Sequence, residues 1–358
     1  MIRIHNDFTG GNICLKELRG NVAILQNELR DTEGDWFYWA FCVEGAAGQE
    51  ITFSFGNHRI GYFGPAVSHD LCEWRWLGDC NGNSFTYRFG EKENKVYFAH
   101  HMLYHPDRFH ALCESKGLHV SELCKSRKGR SVPCLTLGEG EASVVFTSRH
   151  HACESTGTYV LEGVIDELCS APLADARILL IPFVDYDGVV DGDQGKSRAP
   201  HDHNRDYIDE PLYPEIRAIK QYVDTYGINY GFDLHSPWHK GGENDKIFIV
   251  RNRIDKIDRF DMFSKIFASE ITKNSVSYAE ANDHPPMTTW NQQPSSNFAY
   301  TMHMRPDCKL ALSLESAYFG TADNRISQEK LIELGRCFAR ATKKYIEQTR
   351  SACLSNKK

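Results

Sequence analysis

The chain has 358 residues, more than the roughly 250 to 300 at which one hydrophobic core stops growing, so its length favours two domains. Its composition, 41% hydrophobic and 25% charged, is typical of a globular protein and excludes a fibrous or wholly disordered chain. The net charge of −7 gives no electrostatic reason to expect nucleic acid or an anionic membrane as a partner, and we expect neither.

The beginning of the sequence, MIRIHNDFTGGNICLKEL, lacks the basic and apolar segments of a secretion signal. No stretch approaches the roughly 18 apolar residues of a membrane span. The twelve cysteines are scattered singly without a CxxC pair, a spacing that favours free buried thiols in a reducing compartment. We therefore expect a cytoplasmic protein, whose oligomeric state the sequence does not indicate.

Short alternating or aromatic runs separated by Gly and Asn dominate residues 1–115. Examples are NVAILQ, DWFYWAFCVEG and KVYFAHHML. Such runs predict strands joined by turns. We interpret this part as an N-terminal antiparallel β-sandwich domain.

Single apolar runs alternate with amphipathic segments in residues 116–358, the pattern of an α/β domain. The predicted strands are 132–137, 143–147, 177–184, 229–235, 246–250 and 309–315. Helices are predicted over 156–169, 208–226, 254–272 and 326–349. Residues 105–130 are expected to form a helical and polar connector, and the proline-containing stretch 282–308 a long irregular loop.

The first candidate metal ligands lie in TSRHHACES, where His151 and Glu154 are three residues apart, between an apolar run and a predicted helix. Catalytic zinc sites commonly use three protein ligands and leave a position for water. His235 is the best third ligand because GINYGFDLHSPW predicts an apolar strand ending in that histidine, and open α/β sheets form their sites at the carboxyl ends of strands. An HxxE pair alone is weak evidence among 16 histidines, but the combination predicts a metal site.

The Gly-rich polar stretch VDYDGVVDGDQGKSRAPHDHNRDY follows a predicted buried strand, and loops of this kind carry function. The planar donors of Arg198 and Arg205 suit a carboxylate or a developing oxyanion, and Asn204 adds an amide donor. Taken alone, the stretch is better explained as a solvated loop with ion pairs to Asp202 or Asp206.

Glu315 ends the apolar run LALSLE. A carboxylate after such a run is costly unless it is paired or faces a cleft. Beside a metal-activated water it would take the proton and later deliver it to a leaving amine, so Glu315 is the candidate general base.

These residues resemble, in order, the motifs of the carboxypeptidase A-like family of zinc metallocarboxypeptidases. That order is HxxE, a D/N-x-D-G turn, an arginine, an Asn-Arg pair, a histidine after a strand and a glutamate after the last core strand. The corresponding positions here are His151-Ala-Cys-Glu154, Asp185-Tyr-Asp-Gly188, Arg198, Asn204-Arg205, His235 and Glu315. The N-terminal segments FTGGN, WFY and YFAHHMLYHPDRF are similar to the cytosolic carboxypeptidase subgroup, which carries a β-sandwich before its catalytic domain.

The resemblance implies a mixed-sheet catalytic domain over 116–358 with one Zn²⁺ per chain, and peptide or protein C-termini as substrates. At the positions that match the family's motifs, the resemblance implies that the metal ligands are His151, Glu154 and His235. Arg198 would stabilise the oxyanion, Asn204 with Arg205 would hold the terminal carboxylate of the substrate, and Glu315 would be the base. The segment DGDQGKSRAPHDH departs from the eukaryotic members of the family. The tyrosine that closes over the substrate has no clear counterpart, Tyr300 and Tyr318 being candidates.

Other interpretations stay open at this point. A zinc amidohydrolase acting on N-acyl amino acids or cell-wall peptides would use the same metal and base, and a non-catalytic binding module would keep only the fold. Removal of acidic C-terminal residues, which is associated with the cytosolic subgroup, requires a Lys or Arg in the substrate pocket. Further metal ligands are conceivable at His201, His203 and His239. A nucleophilic role for Cys153 is disfavoured because no uncommitted base accompanies it.

Overall fold

The computed structural model of the protein describes residues 2–56, 59–78, 80 and 82–355. The first nine strands are β1 (Arg3–His5), β2 (Cys14–Arg19), β3 (Val22–Gln26), β4 (Ala40–Glu44), β5 (Glu50–Phe55), β6 (Ala66–Ser68), β7 (Arg75–Trp76), β8 (Ser84–Arg88) and β9 (Lys95–Ala99). They form a five-stranded sheet in the order β1-β4-β9-β6-β7 and a four-stranded sheet in the order β2-β3-β5-β8.

The two sheets pack face to face over a shared aromatic core, which confirms the predicted sandwich. One pairing differs from the antiparallel prediction, since β3 and β5 run parallel. The reason lies in the connection: β4, between them in sequence, belongs to the other sheet, so the chain crosses over and returns in its original direction.

The inner strands of the five-stranded sheet, β4, β9 and β6, are largely buried. Along β4 and the residues before it, Trp39, Phe41 and Val43 pack into the sandwich core. Tyr38, Ala40 and Cys42 face the core that continues into the C-terminal part. This alternation follows from the two-residue period of a strand. It explains why DWFYWAFCVEG is apolar at nearly every position.

The C-terminal part is a seven-stranded mixed sheet covered by helices, as predicted. Its strands are β10 (Ser121–Lys125), β11 (Ser131–Leu137), β12 (Ala142–Ser148), β13 (Ala176–Ile181), β14 (Tyr230–His235), β15 (Phe248–Val250) and β16 (Leu310–Glu315), and a small hairpin follows as β17 (Gly320–Thr321) and β18 (Asn324–Arg325). The sheet order is β10-β11-β13-β12-β14-β16-β15. The four central strands run parallel, and the flanking pairings are antiparallel.

The helices are α1 (Pro106–Ser115), α2 (Ser155–Ser170), α3 (Tyr186–Asp191), α4 (Pro214–Tyr226), α5 (Ile257–Glu270), α6 (Phe298–His303) and α7 (Gln328–Ser355), with short 3₁₀ turns at 203–205, 242–245, 254–256 and 280–282. Helix α4 begins six residues later than predicted because Pro214 occupies its first turn, a position that favours helix initiation. Within the described residues no helix is long and apolar enough to cross a membrane.

Two segments contain more regular structure than predicted. The connector 105–130 holds the expected helix, α1, but continues into the edge strand β10, which pairs with β11. The loop 282–308 contains α6, capped by the Asn297 side chain. The division of the chain at residues 115 and 116 stays a prediction; α1 ends at Ser115. Every cysteine whose side chain the structure describes is a free thiol.

Three neighbouring strands end at one edge of the mixed sheet and position the site. In β12, Ser148 pairs with Leu234 of β14. In turn, His235 of β14 pairs with Glu315 of β16. Because these strands are parallel, their carboxyl ends meet, and the residues that follow them face one crevice.

Candidate metal centre and cleft

His151 and Glu154 lie in the turn between β12 and α2, as the sequence predicted. Close packing brings His235 to the same point. A Cβ at Gly157, in the first turn of α2, would lie 2.4 Å from the Leu234 carbonyl oxygen. Glycine at this position therefore lets the start of α2, with Glu154 before it, approach the end of β14.

Glu154 joins the two histidines. Its Oε1 lies 2.9 Å from Nδ1 of His151, and its Oε2 lies 2.6 Å from Nδ1 of His235. Ligand atoms of all three residues fall within 4.8 Å of one another. Two imidazole nitrogens and one carboxylate form a donor set of catalytic zinc sites, so these residues fit a Zn²⁺ ion.

Two further carboxylates face the outer nitrogens of the histidines. Asp233 Oδ2 lies 2.6 Å from Nε2 of His235, and Asp202 Oδ1 lies 3.6 Å from Nε2 of His151. Such partners orient metal-binding imidazoles and increase their basicity. The sequence held a signal for Asp233, which stands two residues before His235 on the same face of a predicted strand. The position of Asp202 depends on the fold of its loop.

The cluster has a strongly acidic electrostatic environment. Burial alone would lower the pKa of His235, but Asp233 and Glu154 raise it well above its ordinary value. Burial would raise the pKa of Glu154, yet His151, Lys196 and His235 hold it well below its ordinary value. Three carboxylates around two imidazoles favour positive charge at this point.

A second group of potential ligands, His150, Asp233 and His235, overlaps the first. Both carboxylate oxygens of Asp233 are already engaged, at 2.7 Å from His150 Nδ1 and 2.6 Å from His235 Nε2. His150 and Asp233 are fully buried, whereas His151, Glu154 and His235 line a cleft. Only the latter group can therefore present a metal to a substrate. A third group, His5, Cys42 and Glu44, lies on the sandwich.

The cleft above the cluster has a volume of about 290 Å³. Three tryptophans contribute to its walls: Trp36 from the sandwich part, Trp238 after β14 and Trp290 from the segment before α6. The Trp36 and Trp238 rings meet edge to face at 4.8 Å. The N-terminal part thus supplies one wall of the cleft.

Glu315 lies in the same cleft beside the cluster. Its side chain is 8% exposed, and its Oε2 has no hydrogen-bond partner among the described residues. Burial raises the pKa of Glu315 to about 7. A carboxylate with that pKa can accept a proton near neutral pH and release it again, as a general base requires.

Comparison with known proteins finds relatives of this chain. The chain is 27% identical over 256 residues to an uncharacterized protein of Zymomonas mobilis, a match covering 65% of this chain and 67% of that one. It is 26% identical over 218 residues to cytosolic carboxypeptidase 2 of Xenopus tropicalis, a match covering 54% of this chain but only 22% of that longer protein. No family model matches.

Among solved structures, a metallo-carboxypeptidase from Burkholderia cenocepacia superposes with a TM-score of 0.80 at 18% identity, covering 97% of this chain and 99% of that one. The chain has the metallo-carboxypeptidase fold and is related to the cytosolic carboxypeptidases.

The structure places the other residues implied by the carboxypeptidase resemblance at two different sites. Asn204 and Arg205 line the cleft, and Asn204 Nδ2 lies 3.1 Å from Nε2 of His235. Arg198 is not among the described residues that line the cleft, and its predicted role at the oxyanion stays a prediction. Its guanidinium is paired with Asp185 at 2.5 Å and Asp193 at 2.9 Å, and it lines a separate cavity.

Lys196 occupies the cleft instead. Its Nζ lies 2.5 Å from Glu154 Oε1 and 5.2 Å from the centre of the Trp36 ring. Burial would lower the pKa of Lys196, but Glu154 and other nearby acidic groups raise it, so the ammonium stays charged. The sequence pattern did not single out this lysine, because the carboxypeptidase motif contains an arginine between the D/N-x-D-G turn and the Asn-Arg pair.

The remaining candidates from the sequence lie outside the cleft lining. His201 bonds Asp206 at 2.6 Å, His203 stacks on Tyr213 at 3.6 Å, and His239 stacks on Phe37 at 4.7 Å. Tyr318 is buried with its hydroxyl 3.7 Å from Cys153 Sγ, and Tyr300 is half-buried beside Arg253.

Proposed function

We propose that this protein is a zinc-dependent carboxypeptidase that hydrolyses the last peptide bond of peptides or proteins. The convergence of His151, Glu154 and His235 at the base of a cleft that also contains Glu315 is the observation that supports this function. The relationship to cytosolic carboxypeptidases supports the same reaction class.

The metal would be held by the two Nδ1 atoms of His151 and His235 and by the carboxylate of Glu154. Bound there, zinc would polarise the scissile carbonyl and lower the pKa of water so that a nucleophile forms at neutral pH. Asp233 and Asp202 would keep the two imidazoles in the required orientation from their outer nitrogens.

Glu315 would act as the base. It takes one proton from the attacking water and transfers it to the amine nitrogen as the carbon–nitrogen bond breaks. The burial that raises its pKa to about 7 suits both transfers, because the group is neither too weak a base nor too weak an acid.

Arg205 and Asn204 would select the chain end. Arg205 is a solvent-exposed residue of the cleft lining, and its guanidinium donates to the Asn204 carbonyl oxygen at 3.1 Å, which leaves other donors for a substrate carboxylate. A guanidinium group binds a carboxylate through two parallel hydrogen bonds, one to each oxygen. A main-chain amide has only one oxygen and cannot form this pair. A free C-terminus would therefore bind in preference to an internal peptide bond.

The cleft lining also indicates which C-terminal residue fits. Among the described residues that line it, the cations apart from histidine are Lys196 and Arg205. Lys196 lies against Glu154 at the metal cluster, where the scissile carbonyl would sit, and Arg205 would hold the terminal carboxylate. An acidic side chain would then have no cation of its own, so we propose a preference for neutral C-terminal residues over glutamate.

The proposal is tested by incubating zinc-loaded protein with one peptide as the free acid and as the C-terminal amide, followed by mass spectrometry. We expect stepwise loss of single C-terminal residues from the free acid alone, and none after a chelator removes the metal. Equal cleavage of both peptides would contradict terminal recognition. Faster hydrolysis of N-acyl amino acids would instead support the amidohydrolase, and zinc binding without any hydrolysis would support a binding module.

A further inference from the structure

The segment between α3 and the 3₁₀ turn at 203–205 carries two cations that point to different places. Side chains two residues apart in an extended chain lie on the same side. Between Lys196 and Arg198, however, Ser197 has a φ of 48°, and Gly195 has a φ of 79°. These left-handed residues break the alternation, so the two side chains diverge.

Arg198 is held by ion pairs outside the lining of the cleft. Its guanidinium bonds Asp185 and Asp193, and its Nε lies 2.9 Å from Asp31 Oδ2. The backbone next to it is also fixed, because Glu33 N donates to Ser197 O at 3.0 Å. Three carboxylates thus surround its positive charge. If the side chain turned towards the cleft, the buried Asp185 would lose its guanidinium partner.

Lys196 instead lies in the lining of the cleft. Its side chain is 12% exposed, and its Nζ lies 2.5 Å from Glu154 Oε1 and 3.5 Å from Ser236 O. The turn that places it there is tight, since a Cβ at Gly195 would lie 2.1 Å from Ala152 N. The segment is thus packed directly on the turn that carries His151 and Glu154.

The Lys196 ammonium already contacts Glu154. A substrate carbonyl group that enters the cleft towards the His151–Glu154–His235 cluster therefore comes within reach of that ammonium. Arg205 is the other lysine or arginine of the described cleft lining, and the proposed function assigns it to the terminal carboxylate. Lys196 is therefore the one left to meet negative charge on the carbonyl oxygen.

We propose that Lys196, not Arg198, is the oxyanion-stabilising residue of this cleft; the inference rests on the carboxypeptidase function proposed above. Water adds through its oxygen to the scissile carbonyl carbon, and Glu315 moves one proton from that water to the amine nitrogen as the carbon–nitrogen bond breaks. In between, the carbonyl oxygen carries negative charge. Lys196 neutralises that charge by donating an N–H hydrogen bond and keeps its own proton.

The test compares Lys196→Met, Lys196→Arg and Arg198→Gln with the wild type. Lys240→Met is the matched control, because Lys240 also lies beside an aromatic ring, Tyr62 at 5.1 Å, but outside the cleft lining. For each variant we would measure bound zinc, kcat, KM and the affinity for a peptide phosphonate, whose tetrahedral anionic centre mimics the oxyanion.

For Lys196→Met we expect kcat to fall by about 10² to 10³-fold, the usual effect of losing one oxyanion donor, with KM changed only a few-fold and zinc retained. Phosphonate affinity should fall by a similar factor, while affinity for the product peptide changes little. Lys196→Arg should recover most of the rate because it keeps a cation. Arg198→Gln should lower thermal stability more than kcat.

Three results would overturn the assignment: a Lys196→Met protein with normal kcat and normal phosphonate affinity, a variant that loses its zinc, or an Arg198→Gln protein showing the rate loss instead. A different result would contradict the proposed function itself: a zinc-loaded wild-type protein that hydrolyses no peptide. In that case the phosphonate affinities of Lys196→Met and Lys240→Met still decide whether Lys196 binds an oxyanion.

Discussion

Replacing Glu315 with glutamine separates its chemical role from its cost to folding. Glutamine has nearly the same shape as glutamate but cannot accept the proton of the attacking water. General-base catalysis typically contributes about 10² to 10⁴-fold, so we expect Glu315→Gln to lower kcat by at least that order. Zinc should remain bound, because Glu315 is not among the three proposed ligands.

The same substitution should stabilise the metal-free protein at alkaline pH. Burial raises the pKa of Glu315 from 4.5 to about 7. At about 1.4 kcal/mol per pH unit, the buried charge then costs on the order of 3 kcal/mol above pH 7. The sign follows from the raised value: the cost is absent below pH 4.5, where both folded and unfolded states are protonated, grows between pH 4.5 and about 7, and is constant above that. Glutamine carries no such charge at any pH.

Urea denaturation of chelator-treated wild type and Glu315→Gln at pH 5 and pH 8 measures this cost. We expect the variant to be more stable by up to about 3 kcal/mol at pH 8 and by much less at pH 5. A zinc-loaded variant with the wild-type rate would refute the base assignment. Equal stability of the two proteins at pH 8 would refute the charge cost, whatever the rate.

Three further predictions follow from the same geometry. The rate kcat/KM should fall on acidification with an apparent pKa at or below about 7, because Glu315 must be ionised and a bound cation lowers its pKa; a rate that rises on acidification would exclude an ionised base. Asp233→Asn should weaken zinc binding by about 10 to 100-fold in a chelator competition, because Asp233 orients His235; unchanged affinity would remove that role. Peptides ending in Gln should be cleaved with higher kcat/KM than matched peptides ending in Glu, and the reverse order would show that a cation faces the substrate side chain.

The sequence predicted the central sheet because its strands are continuous apolar runs bounded by polar turns. Strand ends fell within a few residues of the observed ones, and His235 and Glu315 stood at strand ends as expected. These positions depend only on local pattern and on the geometry of parallel strands. The edge strand β10 was missed because Ser121–Lys125 has no buried residue and therefore no apolar pattern.

Residues in irregular segments were harder to predict, since their direction depends on backbone conformation rather than period. The direction of the Arg198 side chain is of this kind. Nothing in GDQGKSR announces that Ser197 adopts a left-handed conformation, which turns Arg198 away and leaves Lys196 in the cleft. The parallel pairing of β3 with β5 likewise required knowledge of which sheet β4 joins.

The central claim is that His151, Glu154 and His235 hold a catalytic metal, and zinc content of purified protein tests it most directly. The measurement compares wild type with His151→Gln and with His150→Gln, the neighbouring histidine of the overlapping buried group. We predict about one zinc per chain in the wild type and in His150→Gln, and none in His151→Gln. Loss of zinc from His150→Gln with retention in His151→Gln, or no zinc in any of the three after zinc is supplied, would contradict the account.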